Sequence, residues 1–303
     1  MTTLPPTVDE HVQQVRRAIA DALRDRVIGP DAESKQAAVM LAPGERWFAP
    51  DRPVHTVHTD ASMFIGGMRA LLLQSLHPLA MAGVAEHSDY RHDPWGRLQR
   101  TADFLATTTF GPADAAQHAV DRVNAVHGHV RGTAPDGRPY SARDPHLLRW
   151  VHVAETDSFL RAHDTYGAVR LTPAQRDGYV EDMAVIARKL GVKAPPLSVR
   201  GLRDQLRMFR PELMSTPQSR DAARYLLLEP PLDPVARVPY LVIASAAIAT
   251  LPPWARAELR IPYLPLADQF VTRPLGGLVA RTIRWATGIN EATGINDVTP
   301  AAS

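Results

Sequence analysis

Twelve histidines carry much of the chemical potential of this 303-residue chain, and all of them lie at or before His163. An imidazole-based site must therefore be built by the first half, roughly Glu10 to His163, leaving the second half to supply packing, Arg contacts and a substrate wall. His127 and Arg131 stand four apart, and His127 follows Val123 and Val126 on an apolar helical stripe while His129 is rotated away. An imidazole on such a stripe is suited to axial metal ligation; a hydrogen-bonded core histidine accounts for the same pattern. Arg97 and Thr101 also stand four apart, with Arg100 one position off their line. A hydroxyl beside fixed guanidinium donors can hold an anion or a polarised oxygen ligand, and a solvent-facing Arg pair with a half-buried Thr is the plainer reading.

Other groups of ligand types are explained as readily by loops. His87, Asp89, His92 and Asp93 lie close enough in sequence to bind a borderline cation, or to be a polar interhelix connection. His55, His58 and Asp60 fall in a segment read as a solvated loop before a helix. Trp150 and His152 are expected on opposite sides of a helix, one in the core and the other on the surface.

Several chemistries are excluded outright. With no Cys there are no disulfides, iron–sulfur clusters, thiolate-ligated haem or covalently attached c-type haem. The chain has no phosphate-binding P-loop, no dinucleotide fingerprint, no G-x-S-x-G elbow, no H-E-x-x-H and no E-x-x-H pair of the di-iron bundles. Thirty-four cations face 32 anions, and no basic run is interleaved with aromatics, so nucleic acid is not an expected partner. The uncharged stretch Val238 to Trp254 is interrupted by three prolines and reads as a buried helix, not a membrane span. The opening residues show no charged segment followed by an apolar core, so the expected location is the cytoplasm.

The elements that must position these side chains are helical. Met63, Phe64, Met68, Leu71, Leu72 and Leu76 recur at three- and four-residue steps. Asp93-Pro94 predicts a helix start, Phe110-Gly111-Pro112 its end, and a second helix runs from Ala113 through Val120, Val123, Val126 and Val130. An antiparallel pairing of these two helices would bring Thr101 and His127 within about two turns of each other. Pro135-Asp136-Gly137 marks a turn, and Asp144-Pro145 and Thr172-Pro-Ala-Gln175 mark two further helix starts. Ser198 to Arg207 and Gln218 to Leu228 are further helical candidates, and the residues beyond Arg284 read as a loose tail. Alternation with period two is scarce, so the chain is expected to be all-α: a single globular domain of about ten helices.

The order and spacing of longer strings go further. His77-Pro-Leu-Ala-Met-Ala-Gly-Val-Ala-Glu-His87-Ser leads into Asp93-Pro-Trp-Gly-Arg97-Leu-Gln-Arg100-Thr101. Then follow Val126-His-Gly-His-Val-Arg131-Gly, Tyr140-Ser-Ala-Arg-Asp144-Pro-His-Leu-Leu-Arg-Trp150-Val-His152 and Leu251-Pro-Pro-Trp254. Over roughly residues 45 to 265 the chain resembles the MpaB / rubber oxygenase (latex clearing protein-like) family. The expected organisation is an N-terminal helical extension over 1–44, the oxygenase domain over 45–265, and a C-terminal helix with its tail over 266–303.

The resemblance implies an all-α domain holding haem b without covalent attachment, and an oxidoreductase that uses O₂ on an apolar, isoprenoid or lipid-like substrate. It places the proximal iron ligand on His127 with Arg131 beside it, and the distal Arg-x-x-Lys-Thr motif on Arg97, Arg100 and Thr101. Arg131 or Arg97 would pair a haem propionate, Glu86 would be an acid/base, and Leu98, Phe104 and Leu105 would line the substrate channel. One position departs from the family: the distal Lys is Arg100 here, and a guanidinium stays protonated and cannot ligate iron. Two other readings stand beside this one, a haem-free helical binding protein of the same fold and a non-haem metal protein with its site at His87, Asp89 and His92.

Overall fold

Helices begin where the sequence supplies a capping oxygen followed by proline. Asp93 accepts from the Gly96 amide at 2.9 Å, Asp144 from the His146 amide at 2.8 Å, and Thr172 from the Gln175 amide at 3.2 Å. The Gln175 side chain returns the bond to the Thr172 amide at 2.9 Å, a reciprocal box. The prolines that follow (Pro94, Pro145 and Pro173) give up an amide that would have been orphaned in the first turn anyway.

The protein is described by a computed structural model over residues 8–27, 29 and 39–288. In chain order the helices are α1 (Val8–Val27), α2 (Pro53–His58), α3 (Ser62–Gln74), α4 (Pro78–His87), α5 (Pro94–Phe110) and α6 (Ala113–His127). After a hairpin of β1 (Arg131–Thr133) and β2 (Pro139–Ser141) come α7 (Pro145–Tyr166), α8 (Pro173–Lys189) and α9 (Val199–Phe209), the last leading into a 3₁₀ turn, Arg210–Glu212. The chain continues with α10 (Pro217–Leu228), α11 (Pro234–Thr250), α12 (Pro253–Glu258), a π-helical turn Asp268–Thr272 and α13 (Arg273–Thr287). Of the loose tail expected beyond Arg284, the first three residues instead complete α13, which Gly288 closes in the left-handed conformation; the rest lies outside the described residues.

α3 and α7 form the central pair, and α11 and α13 pack around them. The close approach depends on Gly66: a Cβ there would meet the Phe159 ring at 2.7 Å and the Phe159 Cα at 3.1 Å. One core cluster gathers Ile65, Leu72, Leu76, Trp150 and Phe209; a second gathers Val54, Val57, Phe159, Tyr179 and Met183. α1 lies on α13 and α5, so the two ends of the described chain meet. The fold is a single all-α domain; the one sheet among the described residues is the β1–β2 hairpin, turned by Gly137 at φ +85°. Its strands are three residues each, too short to show as an alternation.

Three expectations are corrected. His55 and His58 lie in a helix, not a solvated loop, because Val54 and Val57 on the same turns are fully buried and carry the segment into the core. Asp60 is buried as well, accepting two bonds of 2.9 Å from Arg284 and one of 2.7 Å from the Ser62 amide. Trp150 and His152 are both buried, since α7 is enclosed on more than one side by α3, α8 and α9. The stretch from Val238 is buried only in its second half, where Ala244, Ala246 and Ala247 face the core; Val238 and Leu241 are exposed.

Candidate functional site

α5 and α6 pack against each other as a pair joined at Gly111-Pro112. The pairing is uneven along its length. The buried residues of α5 are Thr108 and Thr109 at its C-terminal end, and those of α6 are Ala116, Ala119 and Val120 toward its N-terminal end. The opposite ends, with Arg97 to Thr101 on one helix and Val123 to His127 on the other, contain no fully buried residue. There the apolar side chains of Leu98 and Val126 are uncovered, Val126 to 61%.

His127 is the last residue of α6 and is half-buried. Burial, followed by the nearby Arg143 charge, lowers its pKa from the ordinary histidine value, so the ring is neutral at neutral pH. Among the described residues its side chain has no hydrogen-bond or ion-pair partner, unlike a satisfied core histidine. His129 is exposed. Arg131 opens β1, opposite Ser141, and is also exposed.

The Arg97–Thr101 group is engaged in local structure. Thr101 is exposed, and its hydroxyl donates to the Arg97 carbonyl at 3.0 Å, one turn back in its own helix. Arg97 is half-buried and donates to Ser88 Oγ at 2.8 Å, while exposed Arg100 reaches the capping carboxylate of Asp93 at 3.1 Å. Among the described residues no side-chain hydrogen bond or ion pair joins any of these three to His127. Phe104 and Leu105 pack against the second core cluster, and Leu98 is exposed, so these three do not share one channel wall. A cavity of about 460 Å³ opens elsewhere, between Arg69, Asp157, Arg203, Thr250 and Arg273, and His127 is not part of its lining.

Glu86, at the end of α4, is exposed and accepts a hydrogen bond from the Tyr140 hydroxyl, which also lies 3.1 Å from His87 Nε2. Burial and then Glu86 push the Tyr140 pKa up to about 12. This group abuts β1: a Cβ on Gly132 would come within 2.6 Å of the Tyr140 hydroxyl and 3.0 Å of Glu86. Glu86 is thus placed next to the strand that Arg131 begins. His87, Asp89 and His92 do not converge: His92 pairs with Asp89 in solvent while His87 turns to Tyr140.

The most strongly perturbed titratable groups were not singled out together by sequence reasoning. His58 Nδ1 lies 2.8 Å from Thr109 Oγ1 and its Nε2 3.2 Å from the Tyr179 hydroxyl, and burial takes its pKa down to about 3. His152 falls to about 4 for the same reason, while burial raises Glu155, one turn further along α7, to about 7. Glu155 has no hydrogen-bond partner among the described residues, and its charge raises the pKa of Tyr179 further. The available signal was a His and a Glu three apart on α7, flanked by the apolar Val151, Val153 and Ala154. A different set, His77, His146 and Glu212, is the one group of three His or acidic residues whose ligand atoms converge among the described residues, within 4.8 Å of one another.

A family model described as ER-bound oxygenase mpaB/B'/Rubber oxygenase, catalytic domain, matches residues 55–285. No curated protein and no solved structure matches the chain. Among the described residues no helix is long and apolar enough to cross a membrane.

Proposed function

The chain belongs to the mpaB/rubber oxygenase catalytic-domain family, and from that premise we infer that it is a haem b-dependent oxygenase acting with O₂ on a small apolar substrate. The observation that carries the reading is His127: a neutral, half-buried imidazole with no partner of its own among the described residues, next in the chain to the uncovered Val126. A metal ligand needs that state of the ring, and a flat apolar macrocycle held there would cover the exposed Val126. Haem, when bound, supplies a redox-active iron for dioxygen chemistry.

The protein's own residues do the rest. His127 would hold the iron through a ring nitrogen, and Arg131 with Arg143 would offer guanidinium donors to propionate carboxylates. Arg97 keeps its charge at the mouth of α5, tethered by Ser88. Arg100 remains protonated and cannot serve as a ligand in the way a lysine can, so its place is with the Asp93 carboxylate. Glu86 accepts a hydrogen bond from the Tyr140 hydroxyl beside β1, and its carboxylate would be placed to take or give a proton at the edge of the site. Thr101, whose hydroxyl is bonded to the Arg97 carbonyl, would offer a hydrogen-bond donor on this face of α5 once that bond is released.

The test is the colour of the protein. Purified from haem-supplemented cells, it should show a Soret band and about one equivalent of haem b by pyridine haemochrome. Colourless protein under those conditions would overturn the reading and leave a haem-free helical protein of this family.

A further inference from the structure

A second site lies at the other end of α4, away from His127 and independent of haem. We propose that His77, His146 and Glu212 form a binding site for a divalent first-row transition metal ion, with two imidazoles and one carboxylate as ligands and an open position toward solvent.

Three separate parts of the fold deliver these residues. His77 caps α4 immediately before Pro78, His146 lies in the first turn of α7, and Glu212 ends the 3₁₀ turn after α9. The frame beneath them is fixed. The Met214 amide donates to the Leu76 carbonyl at 2.9 Å, which holds the Glu212 segment beside His77. The Trp150 indole donates to the Gln74 carbonyl at 3.2 Å, which holds α7 against the same corner. Trp150 and Phe209, both fully buried, make the floor.

Both spacings to the carboxylate are close to those of a coordination polyhedron, and all three ligand atoms lie within 4.8 Å of one another. Glu212 Oε2 lies 2.8 Å from His146 Nε2 and 3.5 Å from His77 Nε2. Ligands held at about 2.0–2.1 Å from one ion are about 2.9 Å apart at right angles and about 3.3 Å apart at the tetrahedral angle. The residue types match as well, since two imidazoles and a carboxylate suit Zn²⁺, Fe²⁺ or Co²⁺ and leave positions open.

An ordinary ion pair with Glu212 satisfies His146 at 2.8 Å but leaves His77 Nε2 at 3.5 Å. The His77 side chain is 2% exposed, and neither ring nitrogen makes a hydrogen bond. A buried polar ring whose one partner stands 3.5 Å from Nε2 is poorly satisfied, and a metal ion here would satisfy Nε2 directly. His146 and Glu212 are each about two-fifths exposed, so the ion would sit on a buried floor with its free face in water. Coordination through His146 Nε2 leaves the proton on Nδ1, so the long 3.4 Å approach of Arg149 to that nitrogen would be given up.

The experiment is titration of chelator-treated, full-length protein with Co²⁺, read by its visible d–d bands and by metal content after gel filtration. Wild type should retain one equivalent whether or not haem is bound. His146→Ala and Glu212→Gln, both at half-exposed positions that leave the core intact, should lose it while keeping the helical circular dichroism of wild type. His92→Ala, at an exposed histidine in a different cluster, should bind as wild type does. No retained equivalent in wild type, or equal retention in wild type and both ligand variants, would overturn the proposal; neither result touches the haem reading, whose signature is the Soret band.

Discussion

Replacing Glu155 with Gln should make the protein more sensitive to acid, although it removes a half-buried acid. Glu155 has an ordinary carboxyl pKa of 4.5 raised to about 7 by burial, so between those values the folded chain holds a proton that the unfolded chain releases. A raised folded pKa contributes stability as pH falls, and from pH 7 to pH 5 this gain is about 2 kcal/mol. His58 and His152 act the other way. Their folded pKa values, about 3 and about 4, lie below the ordinary 6.5, so the unfolded chain binds the protons and stability is lost as pH falls. Each costs about 2 kcal/mol over the same interval. In wild type Glu155 therefore offsets about one of the two histidines. In Glu155→Gln that compensation is gone, and the stability lost between pH 7 and pH 5 should grow by about 2 kcal/mol. Urea denaturation followed by circular dichroism at the two pH values measures the difference directly. If wild type and variant lose the same stability to within about 0.5 kcal/mol, Glu155 does not take up its proton in this interval and the burial argument fails.

Gly66→Ala should destabilise by about 1–3 kcal/mol, since its Cβ would fall 2.7 Å from the Phe159 ring and 3.1 Å from its backbone; an unchanged melting temperature would mean that α3 and α7 are less tightly packed. Asp60→Asn should cost about 3–5 kcal/mol, because it leaves the Arg284 guanidinium without its two-bond carboxylate partner at a buried position. Thr101→Ala should change stability by less than about 0.5 kcal/mol, because the hydroxyl is exposed and bonded only to its own helix. In the haem-loaded protein the same substitution should slow O₂-dependent turnover with haem content unchanged; loss of haem would put Thr101 on the wrong side of the site.

What was legible in the chain was local. Asp93-Pro94, Asp144-Pro145 and the Thr172 box are start signals completed within three or four residues, and each helix begins where they stand. The α5–α6 pair followed from the Gly111-Pro112 break between two apolar stripes. Burial set by distant partners was not legible. His55 and His58 look like loop residues until Asp182 and Tyr179 of α8 are seen to meet the same segment. Asp60 looks solvated until Arg284, 224 residues away, is found bonded to it. The His77, His146 and Glu212 group has the same character: His146 and Glu212 are 66 residues apart, and no local pattern connects them. His127 was named from a family motif and from an apolar stripe that the structure does not keep: the helix expected through Val130 ends at His127, Val126 is exposed, and Arg131 lies in β1.

The proposal that this oxygenase-family chain uses haem turns on one imidazole, and paired substitutions two residues apart isolate it. Absorption spectra of haem-loaded wild type, His127→Ala and His129→Ala should show the Soret band unchanged in His129→Ala and lost or strongly shifted in His127→Ala. An identical band in His127→Ala would contradict the account, because the iron would then be held by some other residue.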